Sequence, residues 1–152
     1  MAEEKSEKEY HKKMGVNLFN LVWSLLDKTE RTIEENDKMI HAAHASRYHW
    51  GEIGTPLEFE RGEWQISRVY SVLSMPHPAL YHGNRCLEIC QENDITDFDI
   101  AFAYEALARA YAVLGEKAKR EKYMVLAQEA GEKIADEEDK KYFFSELETI
   151  PE

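Results

Sequence analysis

The sequence predicts an all-α protein of about seven helices, and three observations support this fold class. Apolar residues recur at helical spacing in almost every segment. The chain contains only 7 Gly and 4 Pro, and no stretch has the composition of a flexible linker. A segment of the middle of the chain is also repeated 41 residues later. With 152 residues, the chain has the length of a single domain, 1–152.

An N-terminal helical hairpin is predicted over residues 1–51. Its first helix covers about 6–26, where large apolar side chains recur every three or four residues. Asp27, with Glu30 three residues later, has the pattern of a capping box and predicts the start of the second helix. We expect that helix to end near Gly51.

The third helix has the clearest start signal of the chain. Thr55 is a preferred capping residue, Pro56 suits the first helical position, and Glu58 completes the pattern. This helix is predicted to run to about Leu73. Two prolines then interrupt the pattern, and a fourth helix is expected over about 79–92.

The last three helices are predicted from their caps. Thr96 and Asp99 indicate the start of a fifth helix, and Gly115 indicates its end. A sixth helix is expected over about 117–134. The acidic residues that begin at Asp136 favour a helix start, so a seventh, capping helix is predicted over 136–150.

The internal repeat joins the third to sixth helices into two similar units. The hexapeptide 68–73, Arg-Val-Tyr-Ser-Val-Leu, recurs at 109–114 as Arg-Ala-Tyr-Ala-Val-Leu. Small residues also occupy equivalent positions, which indicates close contact with a neighbouring helix. These equivalent small pairs are Gly62 and Ala103, Ser67 and Ala108, Ser71 and Ala112, Ser74 and Gly115, and Cys86 and Ala127.

This pattern resembles the tetratricopeptide-repeat family over residues 57–134. The family places a large residue, Leu, a small residue and Tyr at fixed spacing, and this chain has Tyr104, Leu107, Ala108 and Tyr111 there. Gly115 matches its turn glycine, and a small residue, Ala127, follows in the next helix. The resemblance implies a right-handed α-α superhelix whose concave face, lined by the first helix of each pair, binds peptides or protein segments.

Composition excludes several classes of function. Lys and Arg number 19 against 30 Asp and Glu, giving a net charge of −11, which argues against a nucleic-acid partner. No apolar stretch is long enough to span a bilayer, and residues 1–13 lack the pattern of a targeting segment. The two cysteines are expected to be reduced thiols. We therefore predict a cytoplasmic protein that binds neither nucleic acid nor membrane.

The middle of the chain is the predicted binding region. No Lys occurs between Met39 and Glu116, whereas Arg, His and aromatic residues are concentrated there. Arg can stack on aromatic rings and form forked hydrogen bonds with carboxylates. We predict a non-catalytic binding or scaffold protein that recognises a peptide or protein segment, with an acidic segment as one candidate. The predicted binding residues are His44, Arg47, Trp50, Arg61, Trp64, Arg68, Tyr104, Glu105 and Arg109.

The same arginines have a structural interpretation. Arg68 and Arg109 occupy equivalent positions in the two units, and Glu105 lies four residues before Arg109. Residues four apart on a helix can touch. An ion-pair network between helices, made by these arginines with Glu63 or Glu105, is therefore the alternative to a ligand-binding groove.

The alternative function is a metal-dependent or small-molecule-converting helical-bundle enzyme. The second helix carries His41, His44 and His49, and imidazole is the commonest protein ligand for Zn. In that case the cofactor would be a divalent metal such as Zn; otherwise no cofactor is expected. A hydrogen-bonded core position is the structural interpretation of His44.

Two further features have competing interpretations. His82, Cys86 and Cys90 recur every four residues on one helix face and could ligate Zn or Cu, or the cysteines could fill small-residue positions. The first helix is apolar on more than one side, around Leu18 and Trp23. Its second apolar side could be covered by the second helix or could form the seam of a homodimer.

Overall fold

The computed structural model describes residues 2–152 and confirms the all-α fold with seven helices. No β-strand occurs among residues 2–152. Met1, the first residue of the predicted hairpin 1–51, lies outside the described residues. The helices are α1 (Ala2–Leu26), α2 (Ile33–Ile53), α3 (Pro56–Val72), α4 (Pro76–Glu92), α5 (Phe98–Leu114), α6 (Lys117–Glu132) and α7 (Glu137–Leu147).

Two capping boxes begin α2 and α3. Thr32 Oγ1 accepts a hydrogen bond from the Glu35 amide, and the Thr32 amide donates to Glu35 Oε1. The predicted start of α2 at Asp27 is therefore wrong, because the capping box lies five residues later. At α3 the Thr55 amide donates to Glu58 Oε1 over 3.2 Å, as the sequence predicts.

Three other helix starts differ from the prediction. α1 begins at Ala2, four residues before the expected start at about 6. α4 begins at Pro76, three residues earlier than expected, because proline is tolerated in the first helical turn. α5 begins at Phe98, and Asp97 precedes it in place of the predicted cap Thr96. The predicted starts of α6 and α7 agree with the structure, and at α7 the Asp136 side chain accepts a hydrogen bond from the Asp139 amide.

The helices pack as three hairpins followed by α7. α1 pairs with α2, α3 with α4, and α5 with α6, while α7 packs on α5 and α6. Each odd-numbered helix also contacts the next odd-numbered helix. Among the described residues, no Cα atoms of α2 and α4, or of α4 and α6, lie within 8 Å of each other. α1, α3, α5 and α7 therefore share one side of the molecule, which we call the odd-helix face.

The 41-residue repeat is also present in three dimensions. Tyr70 stacks on His82 with an interplanar angle of 17°, and their counterparts Tyr111 and Tyr123 stack at 10°. The backbone has a positive φ at Ser74 (60°) and at the equivalent residue of the second unit, Gly115 (86°). The two units thus share a turn conformation as well as an aromatic contact.

Small residues bring the helices into close contact, as the sequence predicts. A Cβ placed on Gly62 would lie 2.8 Å from the Arg47 Cδ atom of α2. One placed on Gly131 would lie 2.6 Å from the Phe143 ring of α7. Separate apolar clusters fill the region between α1, α2 and α3 and the region between α3 and α7. No helix within residues 2–152 is long and apolar enough to cross a membrane.

Candidate functional site

An aromatic cavity of about 220 Å³ lies on the odd-helix face. Four helices contribute to it, α1, α3, α5 and α7, and six of its nine lining side chains are aromatic. We call it the odd-helix cavity. Its lining residues are Phe19, Trp23, Glu60, Arg61, Trp64, Phe98, Asp99, Phe102 and Tyr142.

The aromatic rings of this cavity form a continuous wall. Trp23 and Trp64 lie with ring centroids 5.6 Å apart, and Trp64 meets Phe102 edge to face at 5.6 Å. Phe102 also contacts Phe98 at 4.7 Å and Tyr142 at 5.9 Å. Aromatic pairs in these arrangements are mutually attractive, so the wall holds its shape without a ligand.

The polar groups of the cavity are neutralised within the chain. Arg61 forms a forked ion pair with Asp99, through Nε to Oδ1 at 2.8 Å and Nη2 to Oδ2 at 3.1 Å. Burial opposes ionisation of Asp99, but Arg61 holds the pKa of that carboxyl below its usual range. Glu60 is 1% exposed, and burial together with the nearby Asp99 raises its pKa to about 10. Glu60 is therefore uncharged at neutral pH.

A second, smaller cavity of about 170 Å³ adjoins the first. The two cavities share Phe19 and Arg61, and the smaller one extends to Trp50 on α2. Of the nine predicted binding residues, the structure brings Trp50, Arg61 and Trp64 to this pair of adjacent cavities.

Three other predicted binding residues form an ion-pair network inside the protein. Glu105, fully buried, accepts hydrogen bonds from Arg109 Nε at 2.7 Å, Arg68 Nη2 at 3.3 Å and Trp64 Nε1 at 2.9 Å. Arg68 also reaches Glu146 of α7 at 3.2 Å. The network thus joins α3, α5 and α7, as the structural interpretation of these arginines describes.

The pKa of Glu105 reflects this setting. Complete burial alone would raise it, but the positive charges of Arg68 and Arg109 and the hydrogen bonds hold it below its usual range. The carboxylate is therefore ionised and neutralised in the core. Arg109 is 7% exposed, and its Nη2 donates to the Glu146 carbonyl and to Thr149 Oγ1.

Arg47 and His44 take part in a polar chain between α2, α3 and α4. Arg47 Nε donates to Glu63 Oε2 at 2.9 Å, and the other Glu63 oxygen lies 2.8 Å from His82 Nδ1. His44 Nε2 lies 2.8 Å from the Tyr70 hydroxyl oxygen. Burial and the neighbouring His82 lower the pKa of His44. These contacts link three helices and lie outside the odd-helix cavity.

The three histidines proposed as metal ligands do not form one site within residues 2–152. His44 contacts Tyr70 and His82, whereas the His49 Nδ1 atom lies 2.8 Å from His11 Nδ1 on α1. His41 is exposed. The expected set of His41, His44 and His49 is therefore divided, because His44 contacts α3 and α4 whereas His49 contacts α1.

Tyr104, the last predicted binding residue, lines a separate groove of about 470 Å³ between α5 and α6. Half of the groove's lining residues are exposed polar or charged ones: Thr96, Asp97, Glu129 and Lys133. It is larger than the odd-helix cavity, but Tyr104 is the single aromatic residue among its eight lining residues, so it lacks the aromatic wall of that cavity.

Sequence reasoning missed five aromatic residues of the odd-helix cavity. Phe19 and Trp23 are four residues apart on α1, and Phe98 and Phe102 are four apart on α5. That spacing places each pair on one helix face and was an available signal. Nothing in the local pattern indicates that the two pairs, with Tyr142 of α7, face the same cavity.

Comparisons with known proteins do not assign this chain to a family. Neither the protein-family models, nor the curated proteins, nor the solved structures contain a match to it.

Proposed function

We propose that this chain is a non-catalytic binding protein that recognises a peptide or protein segment through the odd-helix face. An apolar or aromatic side chain of that segment would enter the odd-helix cavity. The observation that carries the proposal is the cavity wall of six aromatic residues, contributed by four helices. Ligand sites are typically concave and mostly apolar, with a few polar groups that fix orientation.

The polar groups favour binding over catalysis. Both Asp99 oxygens are engaged by Arg61, and the Glu60 carboxyl is almost fully buried. Neither group offers a free carboxylate to a reacting atom in the cavity. The histidine-centred enzyme lacks support as well, because His41, His44 and His49 do not converge.

The ion pairs of the predicted binding arginines change the expected chemistry of the partner. Arg47, Arg61, Arg68 and Arg109 each contact a carboxylate of this chain, with N to O distances from 2.7 to 3.3 Å. Neutralised guanidinium groups attract an acidic segment weakly. The proposed partner is therefore defined by its apolar side chain and not by its acidity.

The helical repeats support the same proposal. α3 with α4 and α5 with α6 are helix–turn–helix units that share a 41-residue register. In the tetratricopeptide-repeat family, which the sequence pattern resembles, the first helices of the pairs line the peptide-binding face. The first helices of this chain are α3 and α5, and both line the odd-helix cavity.

Selection from a library of displayed random peptides tests the proposal. We expect wild-type protein to enrich peptides with a shared apolar or aromatic position, and Trp23→Ala to weaken their binding at least about 10-fold. Tyr81→Ala is the matched control, because Tyr81 is an exposed aromatic residue of α4 that lies outside the cavity. Peptide binding by this control should equal that of wild type.

Two results would contradict the proposal. One is the absence of enriched peptides from a library in which a known binding domain succeeds. The other is equal binding of the enriched peptides to wild type and to Trp23→Ala. Light scattering on the same samples would measure the oligomeric state and so test the homodimer interpretation of the first helix.

A further inference from the structure

Three buried ligand-type side chains meet between α3 and α4. The Glu60 carboxylate oxygen and the sulfurs of Cys86 and Cys90 all lie within 4.8 Å of one another. Both cysteines are fully buried and Glu60 is 1% exposed. Cys86 Sγ lies 3.5 Å from Glu60 Oε1. We call these three residues the Glu60–Cys86–Cys90 cluster.

Packing explains the two thiols but not the carboxyl group. At the 41-residue offset, Cys86 corresponds to Ala127 and Cys90 to Gly131, so both stand where the second unit also has small residues. Glu60 corresponds to Ala101, which is fully buried. The second unit thus fills this position with a methyl group, and the fold does not require a carboxyl group there.

The Glu60 carboxyl group also lacks a full set of partners. Its Oε2 atom is buried and has no hydrogen-bond partner. Leaving a buried polar atom unpaired carries a free-energy cost. A buried, incompletely paired carboxyl group that lies beside two thiols and at the edge of the odd-helix cavity is typical of a functional site.

The donor set suits a cation that prefers sulfur. Two thiolates and one carboxylate are common ligands of Zn²⁺, and Zn–S bonds of about 2.3 Å require sulfur atoms about 3.8 Å apart in a tetrahedron. The cluster is already close to that size. His82, the third ligand considered with these cysteines from sequence, instead contacts Glu63 and Tyr70.

We propose that the Glu60–Cys86–Cys90 cluster binds one zinc ion per chain, through both cysteine sulfurs and the Glu60 carboxylate. Zn²⁺ replaces the two thiol protons and the carboxyl proton, and these three protons leave to solvent. Glu60 lines the odd-helix cavity, so water from that cavity can supply the fourth ligand. The site does not depend on the cavity binding a peptide.

Cobalt titration provides a spectroscopic test on the full chain. The protein is prepared without a histidine tag, kept reduced, stripped of metal with a chelator and titrated with Co²⁺. We expect thiolate-to-cobalt charge-transfer absorption and tetrahedral visible bands that saturate at one equivalent per chain and disappear on addition of Zn²⁺. Because the chain has only 2 Cys, any thiolate band reports this cluster.

Variants separate the three ligands from their surroundings. Cys86→Ala and Cys90→Ala should each remove most of the charge-transfer absorption, and alanine suits sites where the second unit has Ala127 and Gly131. Glu60→Gln should retain sulfur absorption but weaken Co²⁺ binding at least about 10-fold. His82→Ala is the matched control, and its titration should match wild type, since His82 lies outside the cluster.

Three results would overturn the proposal. The first is the absence of charge-transfer absorption in reduced wild-type protein at excess Co²⁺, which needs no variant to fold. The second is saturation at one cobalt per two chains, which would indicate a site shared between molecules. The third is Co²⁺ binding by Glu60→Gln that is as tight as in wild type.

Discussion

The buried carboxyl groups show how neighbouring residues decide the charge of a side chain. Glu105 is fully buried and ionised, because Arg68 and Arg109 lie beside it. Glu60 is equally buried but uncharged, because burial and the neighbouring Asp99 carboxylate both oppose its ionisation. The sequence could suggest the Glu105 network from the spacing of four to Arg109. It gave no sign that Glu60 is buried, because burial there depends on the position of α4.

Removing the charge of Glu105 should destabilise the protein strongly. In Glu105→Gln, two arginines would remain in the interior without their anion, and we expect the free energy of unfolding to fall by about 3–5 kcal/mol. Urea denaturation measures this difference. Glu88→Gln is the matched control, because Glu88 pairs with Arg85 at the surface and should cost at most about 1 kcal/mol. Equal losses in the two variants would contradict a structural role for the network.

The effect of Glu105→Gln should also depend on pH in one direction. The pKa of Glu105 is lower in the folded protein than in the unfolded chain. Its contribution to stability is therefore complete above the unfolded pKa of about 4.3, and is lost as the pH falls through the folded pKa. The difference between wild type and Glu105→Gln should be constant from pH 6 to pH 8 and should shrink below about pH 4. A difference that grows in acid would contradict this assignment.

At the scale of helices and turns, local sequence signals fixed the boundaries that depend on adjacent residues. The structure reproduces three boundaries of this kind. Thr55 with Pro56 marks the start of α3, Gly115 the end of α5, and Asp136 the start of α7. The start of α2 was missed because Arg31 folds back and donates to the carbonyls of Leu25 and Lys28 at the end of α1. Those hydrogen bonds hold the segment between α1 and α2 outside either helix, so α2 begins only after the capping box of Thr32.

The repeat offers a reciprocal test of the turn between the two helices of each unit. Ser74 has φ of 60°, a conformation that costs non-glycine residues about 1 kcal/mol or more. We therefore expect Ser74→Gly to stabilise the protein by about 0.5–1 kcal/mol, since strain relief exceeds the entropy cost of glycine. Gly115→Ser should destabilise it by a similar amount, because a Cβ there meets no atom within 4 Å and only the backbone is strained. Thermal denaturation measures the stability of both variants. Shifts of the melting temperature in the same direction would contradict a turn conformation shared by the two units.

At the scale of the whole molecule, α5 is the centre of the fold. It contacts α3, α4, α6 and α7 and has ten buried residues, more than any other helix within residues 2–152. Periodicity predicted α5 and its neighbours, but it could not place α1 and α7 on the same face. Phe19, Trp23 and Tyr142 were missed for this reason. Within the repeat, Arg61 and Trp64 were found, whereas Phe98 and Phe102 were missed.

This central position predicts a gradient of local stability along the chain. Amide hydrogen exchange should be slowest in α5 and α3, because each contacts four other helices and its opening therefore approaches global unfolding. Residues 2–10 of α1 are all exposed and should exchange with an opening free energy near zero. The control is the pH dependence of the rates, which verifies that exchange reports equilibrium opening. Exchange in α5 as fast as in α4 or α6 would contradict the central role of α5, because those helices present a face to solvent and have fewer buried residues.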